Sequence, residues 1–435
     1  MSLTFNQGSL RRSTYDAGVD AAQWPDIASL PPGGLRAKIA RGLFERLATR
    51  LELQILLPNG RNIGGGDASA PVMQLVRPGA IYRRIGKGGL IGFGEAYMAG
   101  DWTADDLTQV LTIFCRRMST LVPPPLQRLR DIAVHRHPHT EKGTAENARR
   151  NISRHYDLSN DLFTLFLDET MTYSSALFGP GDGSIEMAAV AGWDELAEAQ
   201  RHKVDRLLDA AGVTAGSRVL EIGTGWGELS LRAAARGATV RSITLSEEQR
   251  SLALARVAAA GLSDRVSIDL CDYRAAEGIY DAVVSVEMIE AVGYDFWPTY
   301  FGTLDRLLAP GGRVGLQAIT MPHDRMLASR DTYTWIHKYV FPGGLIPSVA
   351  SVEQSVADHT SLRVVERHAF GLHYADTLRL WRERFASRSV EVDALGFDET
   401  FRKMWTFYLS YSEAGFRSRY LDVYQFVFEK GRPDA

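Results

Sequence analysis

Three glycines beside an acidic residue form the segment whose residue types point most directly to chemistry. Gly223, Gly225 and Gly227 follow the apolar run 219–222, which contains Glu221. Glycines between a strand and a helix let the chain turn sharply and let a ligand approach the main chain. A dinucleotide site would show G-x-G-x-x-G, whereas the spacing here is G-x-G-x-G, and an acid beside the loop disfavours phosphate. The segment therefore favours a cationic amino-acid ligand such as S-adenosylmethionine.

Strands and helices alternate around this loop. The hydrophobic pattern predicts strands over 217–222, 239–244, 266–270, 281–286 and 313–319, and helices over 228–236, 246–260 and 297–308. Such alternation predicts a parallel, doubly wound α/β sheet. Two further features accompany the glycine loop: Asp272 after the third strand and the turn Pro310-Gly311-Gly312. Together the three indicate a class I S-adenosylmethionine-dependent methyltransferase (Rossmann-like) fold. A non-catalytic Rossmann-like domain is the alternative.

The composition is that of an ordinary globular protein. Of 435 residues, 45% are apolar and 23% charged, which excludes disordered, collagen-like and coiled-coil classes for the bulk of the chain. The two cysteines, Cys115 and Cys271, provide no disulfide framework, so a reducing cytosol is expected. No apolar run reaches about 18 residues, and residues 1–13 lack the apolar core of a secretory signal. We expect a cytoplasmic protein, peripheral at the inner face of the membrane.

Charge is distributed unevenly along the chain. The net charge is −3, but residues 1–150 hold 20 basic and 13 acidic residues, so the remainder carries −10. A basic part on an acidic body suggests an anionic surface as partner, either lipid headgroups or nucleic acid; a basic composition without any partner is the alternative. The sequence shows no zinc-ligand spacing, RNA-binding signature or basic run, so we predict no nucleic-acid partner.

The sequence predicts a basic, lipid-associated α+β domain over 1–140 and an S-adenosylmethionine-dependent methyltransferase domain over 141–435. Between 35 and 57 the apolar residues follow helical spacing among basic ones, and packing against the helix's own domain is favoured over membrane contact. The apolar positions are Ile39, Leu43, Phe44, Leu47 and Leu51. Residues 135–147 read as an exposed linker, whose His135, His137 and His139 lack the carboxylates and spacing of a metal site.

Several longer segments resemble the superfamily of cyclopropane-fatty-acyl-phospholipid synthases and mycolic acid methyltransferases. The resemblance runs from about residue 145 to the end and, more weakly, over 75–110. Besides the glycine loop, it rests on HYDLSNDLF (155–163), MTYSSA (171–176), TLSEEQ (244–249), DYR (272–274), SVEMIE (285–290) and WIHKYVFPGG (335–344). The variants VEMIEAVG (286–293), QAITM (317–321) and YSEAGF (411–416) are most similar to actinobacterial methyltransferases that begin tuberculostearic (10-methylstearic) acid synthesis.

The resemblance implies where S-adenosylmethionine binds. In the family a Tyr-Ser pair, here Tyr173 and Ser174, contacts the cofactor, and an aromatic residue, here Tyr273, lies near adenine. Thr244 and Gln249 match positions that hold the ribose and neighbouring atoms. The complete predicted cofactor set is Tyr173, Ser174, Glu221, Gly223, Gly225, Thr244, Leu245, Gln249, Asp272 and Tyr273.

The superfamily also binds bicarbonate as a base, so bicarbonate is an expected second cofactor. Its pocket corresponds here to the backbone at Ser175, the carboxylate of Glu290, and Ile319 and Tyr374. The predicted catalytic set is Ser175, Glu287, Glu290, Gln317, Ile319 and Tyr374.

This sequence departs from the family pattern at four of the positions around that pocket. Ser175 replaces a cysteine, Gln317 replaces the histidine of the bicarbonate pocket, Glu287 replaces a small residue, and Ala291 replaces a histidine. Two carboxylates as close as Glu287 and Glu290 should raise one of their pKa values. We hypothesise that Glu287 either reshapes the bicarbonate site or is itself the base; the alternative is that it faces the ligand amine or solvent.

The implied chemistry requires positioning and a dry site. An isolated alkene attacks the sulfonium methyl and leaves a carbocation, which aromatic faces stabilise by roughly 0.5–2 kcal/mol each. Candidate aromatics are Trp297, Tyr300, Tyr339 and Tyr374, each of which could instead be a core residue. Proton loss from the new methyl with ring closure gives cyclopropane, whereas a hydride shift before proton loss gives a methylene group.

The leading interpretation is methylation of the cis double bond of oleoyl chains in membrane phospholipid, giving a 10-methylene product that a separate reductase would saturate. Cyclopropane formation on the same lipids is the first alternative. A non-enzymatic lipid-binding partner of a reductase and a small-molecule methyltransferase are the others. Apolar material around 340–346 and 401–416 would receive the acyl chain. The sequence leaves homo-oligomerisation open.

Overall fold

A computed structural model describes residues 18–121, 159–179 and 191–432. Internal packing divides the chain into two units, one ending at Asp106 and one beginning at Leu107. This division falls earlier than the boundary predicted between 140 and 141, which itself lies outside the described residues. Within the described residues, no helix is both long enough and apolar enough to cross a membrane.

The first unit combines a small sheet with short helices. Strands β1 (Gln54–Leu56) and β2 (Val72–Leu75) pair in parallel, and β2 pairs antiparallel with β3 (Trp102–Ala104). The helices are α1 (Pro25–Ala28), α2 (Leu35–Ala48), α3 (Pro78–Gly88) and α4 (Leu90–Met98). Arg84 and Asp101 form a fully buried ion pair at 2.9 Å, and Arg77 adds a second bond to the same carboxylate at 2.7 Å. Loss of either partner of such a buried pair would leave an uncompensated charge, which typically costs about 3–5 kcal/mol.

Helix α2 is amphipathic, as predicted, but it ends at Ala48 instead of continuing to 57, since the chain forms β1 over 54–56, and its apolar residues do not all face the unit. Phe44 is buried between Ala40 and Ala48, and its ring centroid lies 6.0 Å from that of Tyr82 on α3. Ile39 and Leu43, which the spacing placed on the packed face, are 53% and 41% exposed. Their predicted burial is wrong because the alanine–phenylalanine face makes the closer contact with α3.

The second unit contains a seven-stranded sheet. Its strands are β4 (Arg218–Ile222), β5 (Thr239–Thr244), β6 (Val266–Leu270), β7 (Tyr280–Val286), β8 (Leu308–Thr320), β9 (Leu362–Ala369) and β10 (Asp422–Lys430). They are ordered β6-β5-β4-β7-β8-β10-β9. The pairs from β6 to β8 are parallel, as predicted, whereas β10 runs antiparallel to both β8 and β9.

Helices cover both faces of this sheet, which confirms the doubly wound arrangement. In chain order they are α5 (Leu107–Leu121), α6 (Asn160–Phe166), α7 (Trp193–Ala210), α8 (Glu228–Ala235), α9 (Glu247–Ala259), α10 (Trp297–Leu307), α11 (His323–Ser329), α12 (Trp335–Tyr339), α13 (Val349–His359), α14 (Gly371–Ser387), α15 (Ser389–Ala394) and α16 (Glu399–Arg417). Neighbouring residues of β4 point to opposite sides: Val219 joins the core formed with α7, α8 and α9, and Leu220 joins the core formed with α10 and α13.

The strand order reverses between β4 and β7. The chain proceeds from β4 through β5 to β6 on one side, and then from β7 to β8 on the other. At such a switch point the connections diverge, which opens a crevice beyond the carboxyl ends of the strands where ligands bind. The glycine loop, Thr244, Glu287 and Gln317 all lie at or near the carboxyl ends of their strands, so the fold brings them to one edge.

Candidate functional site

The glycine loop joins β4 to α8 through three residues in the left-handed region. The φ angles of Gly223, Gly225 and Gly227 are +95°, +52° and +92°, which side chains other than glycine rarely adopt. A Cβ at Gly223 would lie 3.3 Å from Cγ of Met288. A Cβ at Gly225 would meet no atom of the structure within 4 Å, so the described main chain borders open space there. Gly225 is therefore the point of the loop at which a ligand can approach the backbone.

Glu221 lies beneath the loop and does not face the ligand side as predicted. The carboxylate is buried, and it accepts hydrogen bonds from the hydroxyls of Ser230 and Ser242, the latter at 2.6 Å. Burial raises its pKa to about 7, although the two hydroxyls act in the opposite direction. Because its oxygen is already bonded to α8 and β5, we reassign Glu221 from a cofactor ligand to a residue that holds the loop.

Three of the predicted cofactor residues, Thr244, Leu245 and Gln249, lie at the turn after β5, which hydrogen bonds hold in place. Thr244 Oγ1 donates to Gln249 Oε1 at 3.0 Å, and Ser246 Oγ caps α9 by accepting from the Gln249 backbone N–H at 3.2 Å. Thr244 and Gln249 are buried, and Leu245 between them is half-buried. These residues lie at the carboxyl end of the strand next to β4, where the resemblance expects them. Their contact with a cofactor stays a prediction.

Asp272 and Tyr273 follow β6. Asp272 Oδ2 accepts a hydrogen bond from Arg274 Nη2 at 2.6 Å; burial acts to raise the Asp272 pKa, but the bonds to Arg274 outweigh it and the pKa falls below its ordinary value. The Tyr273 ring packs edge-on against Tyr300 with centroids 5.4 Å apart, and burial raises its pKa to about 12. Tyr273 thus belongs to the core beside α10, and its place near adenine stays a prediction.

The carboxylate of Glu287 is the centre of the site. Its Oε1 accepts from the Ser175 backbone N–H at 3.0 Å and from Gln317 Nε2 at 2.8 Å, and its Oε2 accepts from the Tyr374 hydroxyl at 2.7 Å. We call these three donors the carboxylate cradle. Four of the six predicted catalytic residues therefore meet at one group, so the Glu287 carboxylate does not face solvent; the alternative that it faces the ligand amine stays a prediction.

Glu287 occupies a strained backbone position. Its φ is +50°, in the left-handed region, and its backbone N–H donates to the Gln317 carbonyl oxygen at 2.8 Å. A non-glycine residue in this region costs on the order of 1 kcal/mol, and such residues cluster at functional sites. The bend turns the carboxylate out of β7 and into the cradle.

Glu290 and Ile319 form a second contact beside the cradle. Glu290 Oε1 accepts from the Ile319 backbone N–H at 2.5 Å, while its Oε2 is buried with no partner among the described residues. Burial raises the Glu290 pKa to about 8, and the negative charge of Glu287 adds to the increase. The expectation that one of the two carboxylates has a raised pKa is confirmed in direction.

Lys203, which the sequence reasoning missed, places a cation near Glu287. The side chain on α7 is fully buried, and its Nζ donates to Ser174 Oγ at 2.6 Å. Burial lowers the Lys203 pKa to about 8, while the charge of Glu287 acts to raise it. Burial raises the pKa of Glu287, and Lys203 and the three cradle donors act to lower it. The cation therefore favours the ionised form of Glu287.

Aromatic side chains pack in a row around Tyr374. Of the four candidate aromatics, Tyr374 alone belongs to this group. The Tyr374 ring lies 4.7 Å from Phe416 and 6.1 Å from Trp381, and Trp381 lies 5.2 Å from Tyr173. Tyr173 also bonds through its hydroxyl to that of Tyr408, at 2.8 Å. We call Tyr173, Tyr374, Trp381, Tyr408 and Phe416 the aromatic wall.

The other three candidate aromatics lie elsewhere. Trp297 and Tyr300 lie on α10 and are buried in the core between that helix and the sheet, where burial and the charge of Glu290 both act to raise the Tyr300 pKa; the role of these two rings near a cation stays a prediction. Tyr339 lies at the end of α12 with its ring centroid 5.4 Å from that of Trp335. The described residues contain no group of three or more potential metal-ligating side chains; His135, His137 and His139 lie outside them.

Comparison with known proteins places this site in a family. Residues 144–426 match the family model described as mycolic acid cyclopropane synthetase. The chain is 55% identical over 423 residues to the tuberculostearic acid methyltransferase UfaA1 of Mycobacterium tuberculosis, covering 97% of this chain and 98% of that protein. It is 33% identical over 384 residues to the cyclopropane-fatty-acyl-phospholipid synthase of Escherichia coli, covering 88% and 93%.

Solved structures show the same fold. The cyclopropane synthase MmaA2 from M. tuberculosis covers 68% of this chain and 99% of its own at 30% identity, with a TM-score of 0.57. The mycolic acid cyclopropane synthase CmaA1, in a structure complexed with SAH and CTAB, gives the same coverage and TM-score at 29% identity. The chain therefore belongs to the mycolic acid cyclopropane synthetase family, and it is a methyltransferase with the class I fold.

Proposed function

We propose that this enzyme transfers the methyl group of S-adenosylmethionine to the cis double bond of an oleoyl chain in a phospholipid, giving a 10-methylene chain. This would be the first step of 10-methylstearate synthesis. The observation that carries the proposal is the Glu287 carboxylate, held in its cradle beside the aromatic wall. The similarity to a tuberculostearic acid methyltransferase supports the class of substrate.

The described residues fit S-adenosylmethionine as methyl donor. Open main chain at Gly225 admits a ligand to the loop, and Thr244 and Gln249 offer polar atoms at the end of the neighbouring strand. Glu290 Oε2 is buried and without a partner among the described residues, so it can form a hydrogen bond with a bound ligand. When bound, S-adenosylmethionine supplies an electrophilic methyl group on a sulfonium.

The chain's own residues would guide the steps after methyl transfer. The π electrons of the alkene form the new carbon–carbon bond, and positive charge remains on the acyl chain. Faces of the aromatic wall stabilise that charge and exclude water, which would otherwise add to it. After a hydride shift, a proton leaves the new methyl group, its C–H electrons form the methylene double bond, and Glu287 accepts the proton.

Glu287 would also make bicarbonate unnecessary. The resemblance assigns bicarbonate to the backbone at Ser175 and to Tyr374, and in this chain both of these donors bind Glu287. Gln317, which stands where the family has a histidine, is the third donor. A resident carboxylate with these bonds is held in place, and the nearby Lys203 favours its ionised form, the form that accepts a proton.

Product analysis tests the proposed reaction. Purified enzyme, S-adenosylmethionine and vesicles containing dioleoyl phospholipid should release S-adenosylhomocysteine, and proton NMR of the extracted lipid should show olefinic methylene signals. High-field cyclopropane signals would instead establish the first alternative. Absence of S-adenosylhomocysteine would favour a lipid-binding partner of a reductase.

We further propose that the methylene product passes to a separate reductase and that the enzyme acts at the cytoplasmic face of the membrane.

Substitution of Glu287 tests its role as the base. Glu287→Gln should lower turnover at least a hundredfold while donor binding, measured by calorimetry, stays within about threefold. Glu287→Gly should lose activity in the same way but regain part of it with added bicarbonate or formate, because the emptied cradle accepts a small carboxylate. Near-normal turnover in Glu287→Gln would reject the base role, and loss of wild-type activity in bicarbonate-free buffer would reject the independence from bicarbonate.

A further inference from the structure

Three apolar side chains form a row along the outer face of α2. Leu35, Ile39 and Leu43 are 74%, 53% and 41% exposed. They follow one another at intervals of four residues, so they lie side by side along the helix. Single exposed apolar residues are common on protein surfaces, but a continuous row of them marks an interaction surface.

Packing of the opposite face holds this row outward. Phe44 and its neighbours at Ala40 and Ala48 are buried against the first unit. On α3, a Cβ at Gly86 would lie 2.9 Å from the carbonyl carbon and oxygen of Arg36, so the two helix backbones are in direct contact there. Rotation of α2 to bury the row would break this contact, and the exposed row is therefore a fixed property of the unit.

The row is set among cations. Arg36, Lys38 and Arg46 are exposed on α2, and at 100° per residue Arg46 projects between the directions of Leu35 and Ile39. The one acid of the helix, Glu45, is already bonded to Arg41 at 2.9 Å and to the hydroxyl of Tyr82 at 3.3 Å. The outer face is consequently both apolar and positively charged.

We propose that α2 is an interfacial helix that lies flat on an anionic phospholipid bilayer. Leu35, Ile39 and Leu43 would enter the boundary of the acyl chains, while Arg36, Lys38 and Arg46 would contact headgroup phosphates. A second copy of the chain fits this face less well, because a symmetric contact would bring the same cations together. The inference rests on the proposed function for its choice of lipid, since methylation of phospholipid acyl chains requires the enzyme to meet a bilayer.

Vesicle binding by the full chain, in the absence of any methyl donor, tests this proposal. We expect sedimentation with phosphatidylcholine vesicles containing phosphatidylglycerol to exceed that with phosphatidylcholine alone, and to weaken as salt rises. Leu35→Ser, Ile39→Ser and Leu43→Ser combined should lower the partition coefficient at least tenfold. Lys38→Glu with Arg46→Glu should remove the preference for anionic vesicles. Val390→Ser, at a side chain 76% exposed on α15, is the matched control and should bind normally.

A second measurement uses the unmodified chain, so that folding of the variants does not decide the result. Addition of anionic vesicles should slow hydrogen exchange at the amides of 35–48. Unchanged exchange there, or normal vesicle binding by the triple serine variant, would overturn the proposal. It would equally be overturned if the serine changes altered only the oligomeric mass measured by light scattering. Failure of methyl transfer would leave these donor-free measurements unaffected, so the two proposals can fail separately.

Discussion

The glycine loop rests on a buried carboxyl group that Glu221→Gln neutralises with little change of shape. In the folded chain, burial raises the Glu221 pKa from its ordinary value of 4.5 to about 7. Because the folded state then binds the proton more tightly than the unfolded state, this group adds stability below about pH 4.5 and loses it as pH rises through about 7. One pKa unit corresponds to about 1.4 kcal/mol, so roughly 2–3 kcal/mol is lost between pH 5 and pH 8.

The variant should not show this loss, because glutamine does not titrate. We expect the free energy of unfolding of Glu221→Gln, minus that of the wild type, to increase by roughly 2–3 kcal/mol from pH 5 to pH 8. Urea denaturation at both pH values, followed by tryptophan fluorescence, measures this difference. The comparison isolates Glu221 because every other titrating group, including Glu290, is present in both proteins.

A control variant has to show that the pH-dependent change in stability comes from the burial of Glu221 and not from the loss of one negative charge. Glu198→Gln, at a side chain 79% exposed on α7, removes the same charge from the surface and should show no such pH dependence. If Glu221→Gln and the wild type differ by the same amount at both pH values, the carboxyl group is ionised throughout, and its role as a buried, partly protonated support of the loop is refuted.

Three further predictions concern the site. Lys203→Met should move the acidic limb of the pH–rate profile to higher pH, because the cation acts to lower the Glu287 pKa; an unmoved limb would contradict this. Tyr374→Phe removes a charge-assisted hydrogen bond of about 1.5–3 kcal/mol, so kcat should fall about ten- to a hundredfold, whereas loss confined to KM would speak against the cradle. Gly225→Ala has room for its methyl group but a φ of +52°, so calorimetry should show donor affinity reduced about five- to thirtyfold; unchanged affinity would mean that the loop relaxes.

The framework of the second unit could be predicted from the sequence because it depends on local patterns. The predicted strands 239–244 and 266–270 coincide with β5 and β6. The predicted helix 228–236 is one residue longer than α8 at its C-terminal end, and the predicted helix 246–260 is one residue longer than α9 at each end. Buried parallel strands produce continuous apolar runs, and glycines mark the turns between them. The antiparallel direction of β10 depends instead on long-range pairing, which periodicity does not encode.

The site was predictable only where the resemblance supplied positions. Glu287, Gln317 and Tyr374 come together as a cradle because β7, β8 and α14 converge, and no spacing along the chain expresses that convergence. Lys203 has the appearance of a surface lysine in a helical pattern, and its burial follows from the packing of α7 on the sheet. Glu221 was assigned to the ligand side because the sequence gives an acid's position along a strand, not the direction of its carboxylate.

The left-handed backbone at Glu287 makes this position tolerant of substitution by glycine. Glycine adopts a φ of +50° freely, so a change between glutamate and glycine requires no movement of β7 or β8. Under the proposed mechanism, a glutamate scaffold would carry its own covalently tethered proton acceptor, whereas a glycine scaffold would leave the same donors to recruit one from solution. A single inherited substitution would thus decide whether the enzyme's output depends on the dissolved carbon dioxide of the cell, and the relief of backbone strain would favour the dependent form.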